Sequence, residues 1–436
     1  MFVAPAPAAR AGGLFLPARG ARGLGVAGSL TASADDGSAL YYNPAGLADS
    51  AGTGVLVDAG LVLQRVGYDR IDSGGNPQPH VKGDTNLLPI PTVAVSWKLD
   101  SEPRLTLAAG VWTPYLGVNT WPDNGPQRYS DVTLNGSILA VPELAAAYRV
   151  NDRLSVGVGL QDMVINFRSK VVLSACSQLN CAPEDPGFDA LSEVRTKSVL
   201  TPSGILGADY KLDNLKLGLA VQLPFFVRSS GTARSRLPTD PQFVNAKQVG
   251  DQTDLDFDLP LEVRLGAAAR LTPHLTVEVG FDFEAWSMQK DISIRAHDIQ
   301  IQGIPGVGSY TFNKIAINRD LDNTYAVHGG AEWEAVPHTV IVRAGYLLET
   351  SATPDRTASV LAPDGLHNLI SAGVGLPVGR VRVDLGYGHL FTSDRTVRDS
   401  QALQLNPIQP SLAVAVGNGK YTVSTDIVSA GVAGQF

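Results

Sequence analysis

From residue 54 to its end, the chain is a succession of period-two runs whose connections alternate between short and long. Period two means strands with two different faces. Fourteen runs can be read, at 54–66, 88–99, 104–115, 136–150, 153–172, 194–212, 215–229, 252–271, 275–290, 318–334, 339–350, 366–377, 381–392 and 420–436. The joins at 100–103, 151–152, 213–214, 272–274, 335–338 and 378–380 are short, with Asn151-Asp152 and Asp213-Asn214 reading as two-residue hairpin turns. The connections near 67–87, 116–135, 173–193, 230–251, 291–317, 351–365 and 393–419 are long and rich in Gly, Pro and polar residues. Strands of a soluble sandwich usually run to about five or six residues, and several of these are far longer. An all-β, fourteen-stranded antiparallel transmembrane barrel meets every one of these conditions. Lipid lies on one face and a lumen on the other, with short turns at the periplasmic end and long loops outside.

The faces are clearest in the second half. Leu255, Phe257, Leu259, Leu261, Val263, Leu265, Ala267 and Ala269 read as one face of a single strand, with Asp254, Asp256, Asp258, Glu262, Arg264 and Arg270 on the other. Charged residues make up 17% of the 436, below the usual quarter, and no apolar run reaches eighteen residues. That excludes helical spans. Net charge is -8 without basic clusters, so nucleic acid is excluded as a partner. An even strand count brings both termini to the short-turn side. A segment ahead of the first strand can therefore enter the barrel from the periplasm.

That segment is Gly/Ala-rich and nearly uncharged. Residues 23–48 read GLGVAGSLTASADDGSALYYNPAGLA, with Asp35 and Asp36 the only charges and Asn43-Pro44-Ala45-Gly46 a turn signal. This stretch resembles the N-terminal hatch of the long-chain fatty acid outer-membrane transporter family, which also takes in transporters of aromatic hydrocarbons. PELAAAY (142–148), NTYAVHGGAEW (323–333), VRAGY (342–346) and DLGYGH (384–389) resemble the same family, so the likeness covers residues 12–436. It implies a hatch inside the lumen over 12–50, with Asp35, Asp36, Asn43, Pro44 and Ala45 as its marked positions, and a barrel over 51–436. It also implies a side opening where the third strand kinks. Thr113, Pro114 and Gly117 match that region, and Pro114 removes a ladder donor there. The family's ligand-contacting side chains find no match in this chain.

Other features are read from the residues themselves. Residues 1–11 have the look of a residual signal-peptide tail, with Ala9-Arg10-Ala11 as a small-x-small cleavage site. Cys176 and Cys181, five apart in a polar loop, suggest a local disulfide in an oxidising compartment. A final strand ending in Phe436 looks like the signal read by the outer-membrane barrel-assembly machinery. Arg168 and Lys170, sharing a face at the outer end of the fifth strand, are candidates to attract a carboxylate head group. Asp254, Asp256 and Asp258 form a solvated strand face, with cation binding as the sharper alternative. Glu262, Arg264, Glu278, Asp282, Glu332, Arg343, Arg382 and Asp384 are expected to face the lumen and grip the hatch through ion pairs.

Neither G-x-S-x-G nor H-E-x-x-H occurs, and the histidines are scattered, so catalysis is not expected. No metal site or cofactor is implied. The expectation is a monomeric barrel in the outer membrane of a Gram-negative bacterium, surrounded by lipid. It would passively pass a hydrophobic small molecule, a long-chain fatty acid or related lipid or hydrocarbon, by loop capture, hatch movement and lateral release. The alternatives are a structural or adhesive barrel with a permanently closed pore, and a general porin, which the hatch disfavours.

Overall fold

The computed structural model describes residues 16–83, 88–113, 119–134, 139–177, 181–304 and 308–436. Fourteen strands make one closed wall: β1 (Gly54–Arg70), β2 (Leu88–Leu99), β3 (Glu102–Trp112), β4 (Leu139–Arg149), β5 (Leu154–Ile165), β6 (Val199–Lys211), β7 (Leu215–Gln222), β8 (Glu262–Thr272), β9 (Leu275–Glu284), β10 (Thr324–Val336), β11 (Val340–Glu349), β12 (His367–Val378), β13 (Val381–Thr392) and β14 (Gly419–Gln435). Each pairs antiparallel with the next. β14 returns to β1 in one register from Gly54↔Gln435 to Arg70↔Gly419. Thr53 and Phe436 exchange backbone hydrogen bonds beyond that last pair, which ties the C-terminus into the seam. Closure satisfies backbone groups that hydrocarbon cannot.

Alternation sorts the side chains. Leu144, Leu160, Val279 and Val327 point out and are exposed to the surrounding medium, while Glu278, Arg343 and Asp384 point in and are buried. Exposed apolar side chains around a closed wall are what lipid demands.

The upper part of the molecule differs from the sequence reading. Four of the fourteen runs are each two strands. The run 153–172 divides at Asn166-Phe167, 194–212 at Lys197-Ser198, 215–229 at Leu223-Pro224, and 252–271 at Pro260-Leu261. The outer pieces join a second, nine-stranded sheet made from four of the long loops. Its order is 247–249, 291–304, 252–259, 225–236, 189–196, 168–174, 133–134 and 119–120, with 308–318 on the other side of 291–304. The break at Pro260 also changes the face. Leu255, Phe257 and Leu259 are buried, yet below the break it is Glu262, Arg264 and Ala268 that are buried. One apolar face from 255 to 269 was expected; the chain instead turns its apolar side inward above Pro260 and outward below it. Proline supplies no ladder donor, so the strand can rotate there without losing a hydrogen bond.

Residues 16–50 fill the barrel. They form two short helices, α1 (Gly20–Gly25) and α2 (Ala39–Tyr42), and a 3₁₀ turn, Pro44–Asp49. Nearly all of this segment is buried. A wall of fourteen strands is too wide for its own side chains to close, since eight is about the limit. The hatch does so by close backbone approach. At Gly207, Gly218 and Gly345 of the wall, a Cβ would collide with Asn43, Thr31 and Val26 of the hatch. Part of the chain's glycine content is thus the fitting surface for this plug.

Candidate functional site

Two sites emerge, a latch on the hatch and an apolar cavity above it. The latch begins at Arg22 of α1. Its guanidinium meets Asp35 at 2.6 Å, Asp36 at 3.1 Å and the wall's Glu332 at 2.8 Å. Glu332 also receives Arg343 at 2.6 Å, Arg343 reaches Asp384 at 2.7 Å, and Asp384 receives Arg382 at 2.7 Å. Arg382 returns to Asp36 at 2.8 Å and completes a circuit between hatch and wall. Removing one member of a buried circuit leaves another charge unpaired, at a cost of about 3–5 kcal/mol. Further contacts spread the grip. Glu278 accepts from Ala32 N and Ser33 Oγ, His328 contacts Ser29 Oγ, and Arg264 donates to Tyr41 O at 2.6 Å. Asp49 at the end of the 3₁₀ turn holds Lys216 at 3.0 Å and Arg149 at 3.2 Å.

Asn43 and Pro44 govern the lower turn. Asn43 Oδ1 accepts from Ala45 N at 3.1 Å, capping the turn that Pro44 opens. Its Nδ2 also donates to Thr31 O at 2.9 Å and to the wall's Asp209 at 2.7 Å. The residue therefore anchors the turn to the barrel as well as capping it. Asn43→Ala strips partners from buried groups, so its expected cost is about 1–3 kcal/mol. Hydrogen exchange should show hatch amides losing protection by roughly ten- to hundredfold. The heat-modifiable gel mobility of the barrel should stay unchanged, because the wall ladder is intact.

The cavity lies under the second sheet. It has a volume of about 120 Å³ and an apolar lining that includes Phe167, Leu255, Trp286, Ile294, Ile317 and Leu321. A groove of about 460 Å³ adjoins it, shares Phe312, Ile315 and Leu405 with it, and opens along residues 401–416. Below, Trp286 and Leu321 belong to one contiguous apolar core with Val26, Leu30, Leu40 and Tyr41 of the hatch. Groove, cavity and hatch are thus stacked in series.

Two cations, Lys314 and Arg319, break this apolar lining, and only Arg319 is buried. Arg319 follows the strand 308–318 and lines both cavity and groove. Its backbone is fixed by Arg319 N donating to Lys290 O and by Thr357 Oγ1 donating to Arg319 O, each at 2.8 Å. The residue is 5% exposed. Its guanidinium makes no hydrogen bond or ion pair among the described residues, whereas neighbouring Lys314 is exposed and lies 3.6 Å from Asp291. Burial brings the Arg319 pKa down to about 10, with Asp364 opposing that shift, so the group stays charged at neutral pH.

The residues singled out from sequence fall as follows. Asp35, Asp36, Asn43, Pro44 and Ala45 all lie in the hatch at its contacts with the wall or with Arg22. Thr113 follows β3, and its carbonyl accepts from Arg19 of the hatch. Pro114 and Gly117 lie outside the described residues. Arg168 is paired with Glu193 at 2.6 Å. Phe167 ahead of its strand and Ser169, Val171 and Leu173 within it line the cavity, so Arg168 and Lys170 belong to the opposite face. Asp254, Asp256 and Asp258 face His297, Arg295 and Arg228. Cys176 and Cys181 are disulfide-bonded. Arg319 was not singled out. It reads as one more rim charge, and only the flanking Ile315, Ile317 and Leu321 hint at an apolar setting.

Comparison with known proteins gives a consistent picture. A family model described as outer membrane protein transport protein (OMPP1/FadL/TodX) matches residues 2–436. A crystal structure of a Pseudomonas aeruginosa FadL homologue superposes with a TM-score of 0.80 at 17% identity, over 97% of this chain and 100% of that one. The Pseudomonas putida toluene transporter TodX gives 0.69 at 15% identity, over 97% and 99%. The Ralstonia pickettii toluene transporter TbuX gives 0.64 at 15% identity, over 97% and 99%. At such identities the likeness speaks for the fold. No curated protein sequence matches the chain.

Proposed function

The chain belongs to the OMPP1/FadL/TodX family of outer-membrane transport proteins, and from that premise we propose that its ligands are hydrophobic chains with an anionic head, long-chain fatty acids foremost. Transport of hydrophobic compounds across the outer membrane is the family's work; the choice of ligand within that class is the proposal. Arg319 carries it. A buried guanidinium without a partner costs several kcal/mol, and a carboxylate is the partner that offsets this while its tail fills the apolar cavity. A pure hydrocarbon would leave the cation unpaired. The ligand enters along the groove, seats its head at Arg319 and rests above the hatch. No energy source is required, since the ligand moves down its own gradient. Movement of the hatch and release through the wall toward lipid, at Thr113–Gly117 or nearby, complete the route. Arg168 and Lys170, on the other face of their strand, would act at most on approach.

The test is uptake of labelled oleate by a transporter-deficient host expressing wild type or Arg319→Met. Rescue by wild type and loss with the variant support the reading. The alternative, a barrel kept permanently shut, draws on the density of the latch and predicts no rescue by either.

Binding should also depend on pH. Asp364, in the loop before β12, accepts from Ser351 Oγ, Ala352 N and Thr353 N, and burial pushes its carboxyl up to about 7. Above that pH its negative charge opposes an anion at Arg319; below it the charge is gone. A permanently anionic ligand, hexadecanesulfonate, should therefore bind more tightly as pH falls between roughly 8 and 6. His367 Nε2, 3.8 Å from Asp364, adds to the same trend when protonated. Asp364→Asn should flatten most of the slope in a calorimetric titration. An unchanged slope would remove Asp364 from the account.

A further inference from the structure

A group of polar side chains stands on the outward face of the wall, where β13, β14 and β1 meet. On β14, Thr425 and Ile427 are buried toward the lumen, so Ser424 and Asp426 belong to the outward row with exposed Val428. His389 of β13 lies directly across from Asp426, and Arg65 of β1 lies directly across from Ser424. Asp426 gathers three donors. Arg65 Nη1 reaches its Oδ2 at 2.8 Å, while Tyr387 Oη and His389 Nδ1 reach its Oδ1 at 2.8 and 2.7 Å. The other ring nitrogen, Nε2 of His389, lies 3.5 Å from Ser424 Oγ.

These contacts fix an order. An ionised carboxylate only accepts, so Nδ1 of His389 carries the proton of that bond and Nε2 is left as an acceptor. The acceptor faces a hydroxyl. Serine, imidazole and an orienting carboxylate in that sequence are the parts of an activated nucleophile, and they are recognised by geometry rather than by chain position. A gap of 3.5 Å is long for a hydrogen bond, yet such sites are often this loose before substrate binds. An ion pair clasping the seam would account for Arg65 and Asp426. It gives no reason for a histidine set between that carboxylate and a serine. No local motif announces the group, because strand register assembles it: Ser424 and Asp426 are two apart on β14, and β13 supplies His389.

The surroundings suit a lipid ester. Toward the periplasm the outward side chains Leu61, Leu63, Leu385 and Val428 are exposed and apolar. Toward the loops, Asp69 and Lys420 are exposed and charged. The cluster thus stands at the upper edge of the apolar band, the level at which the lipid face tolerates charge and lipid head groups begin. Phe391 lies across from Ser424, with its ring centroid 4.2 Å from that of His389. The Arg65 side chain is exposed, and its donors other than Nη1 are open to an oxyanion forming at Ser424.

We propose that Ser424, His389 and Asp426 form an esterase site on the outer wall, which hydrolyses long-chain acyl esters presented by the outer leaflet. Ser424 Oγ attacks the ester carbonyl carbon as its proton passes to His389 Nε2. Negative charge collects on the carbonyl oxygen beside Arg65. The bond from that carbon to the alcohol oxygen breaks, and the alcohol leaves with the proton from Nε2. Water then attacks the acyl-serine in the same way, which releases a fatty acid and restores the Ser424 hydroxyl. Asp426 is a positioning residue, and the acyl chain lies along Leu63, Val428 and Phe391. The activity is additional to transport. Its product belongs to the ligand class proposed for the Arg319 cavity, but the site stands on its own geometry.

The test uses purified full-length protein in detergent micelles, made in a host without an outer-membrane phospholipase of its own. One probe is hexadecyl fluorophosphonate, with adducts mapped by mass spectrometry. The other is 1-hexadecanoyl-lysophosphatidylethanolamine, with release of hexadecanoate measured. Wild type should carry the phosphonate on Ser424 and should release hexadecanoate. Ser424→Ala and His389→Gln should each lower hydrolysis at least hundredfold, with the heat-modifiable gel mobility of the barrel unchanged. Asp426→Asn should lower kcat at least tenfold and leave KM in place, a split that mere loosening of the seam does not give. The adduct is read on wild type, so it does not depend on any variant folding. No adduct on Ser424, or hydrolysis that survives Ser424→Ala, overturns the site and leaves an ion-paired clasp between β1 and β14. Fatty acid uptake does not enter these measurements, so this reading and the one at Arg319 fail separately.

Discussion

Arg319→Met should weaken binding of hexadecanoate or hexadecanesulfonate by roughly ten- to hundredfold, while hexadecanol changes by no more than about threefold. The range follows from the worth of a charge-assisted hydrogen bond, about 1.5–3 kcal/mol, and the lower limit applies if the head keeps water beside it. Methionine preserves the apolar stem that lines the cavity and removes the guanidinium, which has no protein partner to leave stranded. The variant should therefore fold as well as wild type or better. Arg168→Met is the control. That arginine is paired with Glu193 and stands on the face away from the cavity, so affinity should not move. Equal losses with both variants would mean that a diffuse field at the rim attracts the anion, and the role given to Arg319 would fall.

The contrast between these two arginines shows what the sequence could tell. The wall was legible because lipid and lumen impose opposite demands on successive residues for many residues in a row. All fourteen strands, their short turns and the closing terminal strand follow from that one rule. The hatch was legible because a small, nearly uncharged segment ahead of a large barrel has few other places to go. Charges such as Arg343 and Asp384, alternating with apolar residues inside long strands, had to face the lumen and find partners there. The second sheet was hidden because its strands continue the same alternation as the wall below. Pro224 and Pro260 were the only marks of the breaks, and a proline in a strand does not say which way the chain rotates after it. At Pro260 the rotation turns Leu255, Phe257 and Leu259 inward, so residues that read as lipid-facing line or back the cavity. Arg319 and Arg168 are alike in sequence, each a cation beside apolar alternation. Only the packing of residues distant in the chain separates a buried, unpaired arginine from a rim charge.

Deleting residues 12–42 should convert the closed barrel into a conducting pore. Planar-bilayer recordings should show large, steady channels where wild type shows almost none, and cells should become sensitive to bulky polar antibiotics. The wall cannot close by itself, because a fourteen-stranded barrel is wider than its inward side chains can span. Wall positions such as Gly207, Gly218 and Gly345 are kept bare for the hatch and would face water once it is gone. The barrel should still insert, since its ladder closes between β1 and β14 without any hatch residue. Yet the deletion strands Glu332, Arg343, Asp384 and Arg382 without Arg22 and Asp36, and water entering the lumen must solvate them. A milder variant separates plugging from this electrostatic disturbance. Glu332→Gln keeps the hatch but weakens its hold on both Arg22 and Arg343. It should give brief, flickering openings, because the hatch is still gripped at Asn43, Asp49 and Glu278. Sustained conductance after deletion with flicker after Glu332→Gln is the pattern of a latched plug. If the deletion variant inserts normally and conducts no more than wild type, the loops above the cavity hold the seal, and residues 16–50 are filling rather than gate.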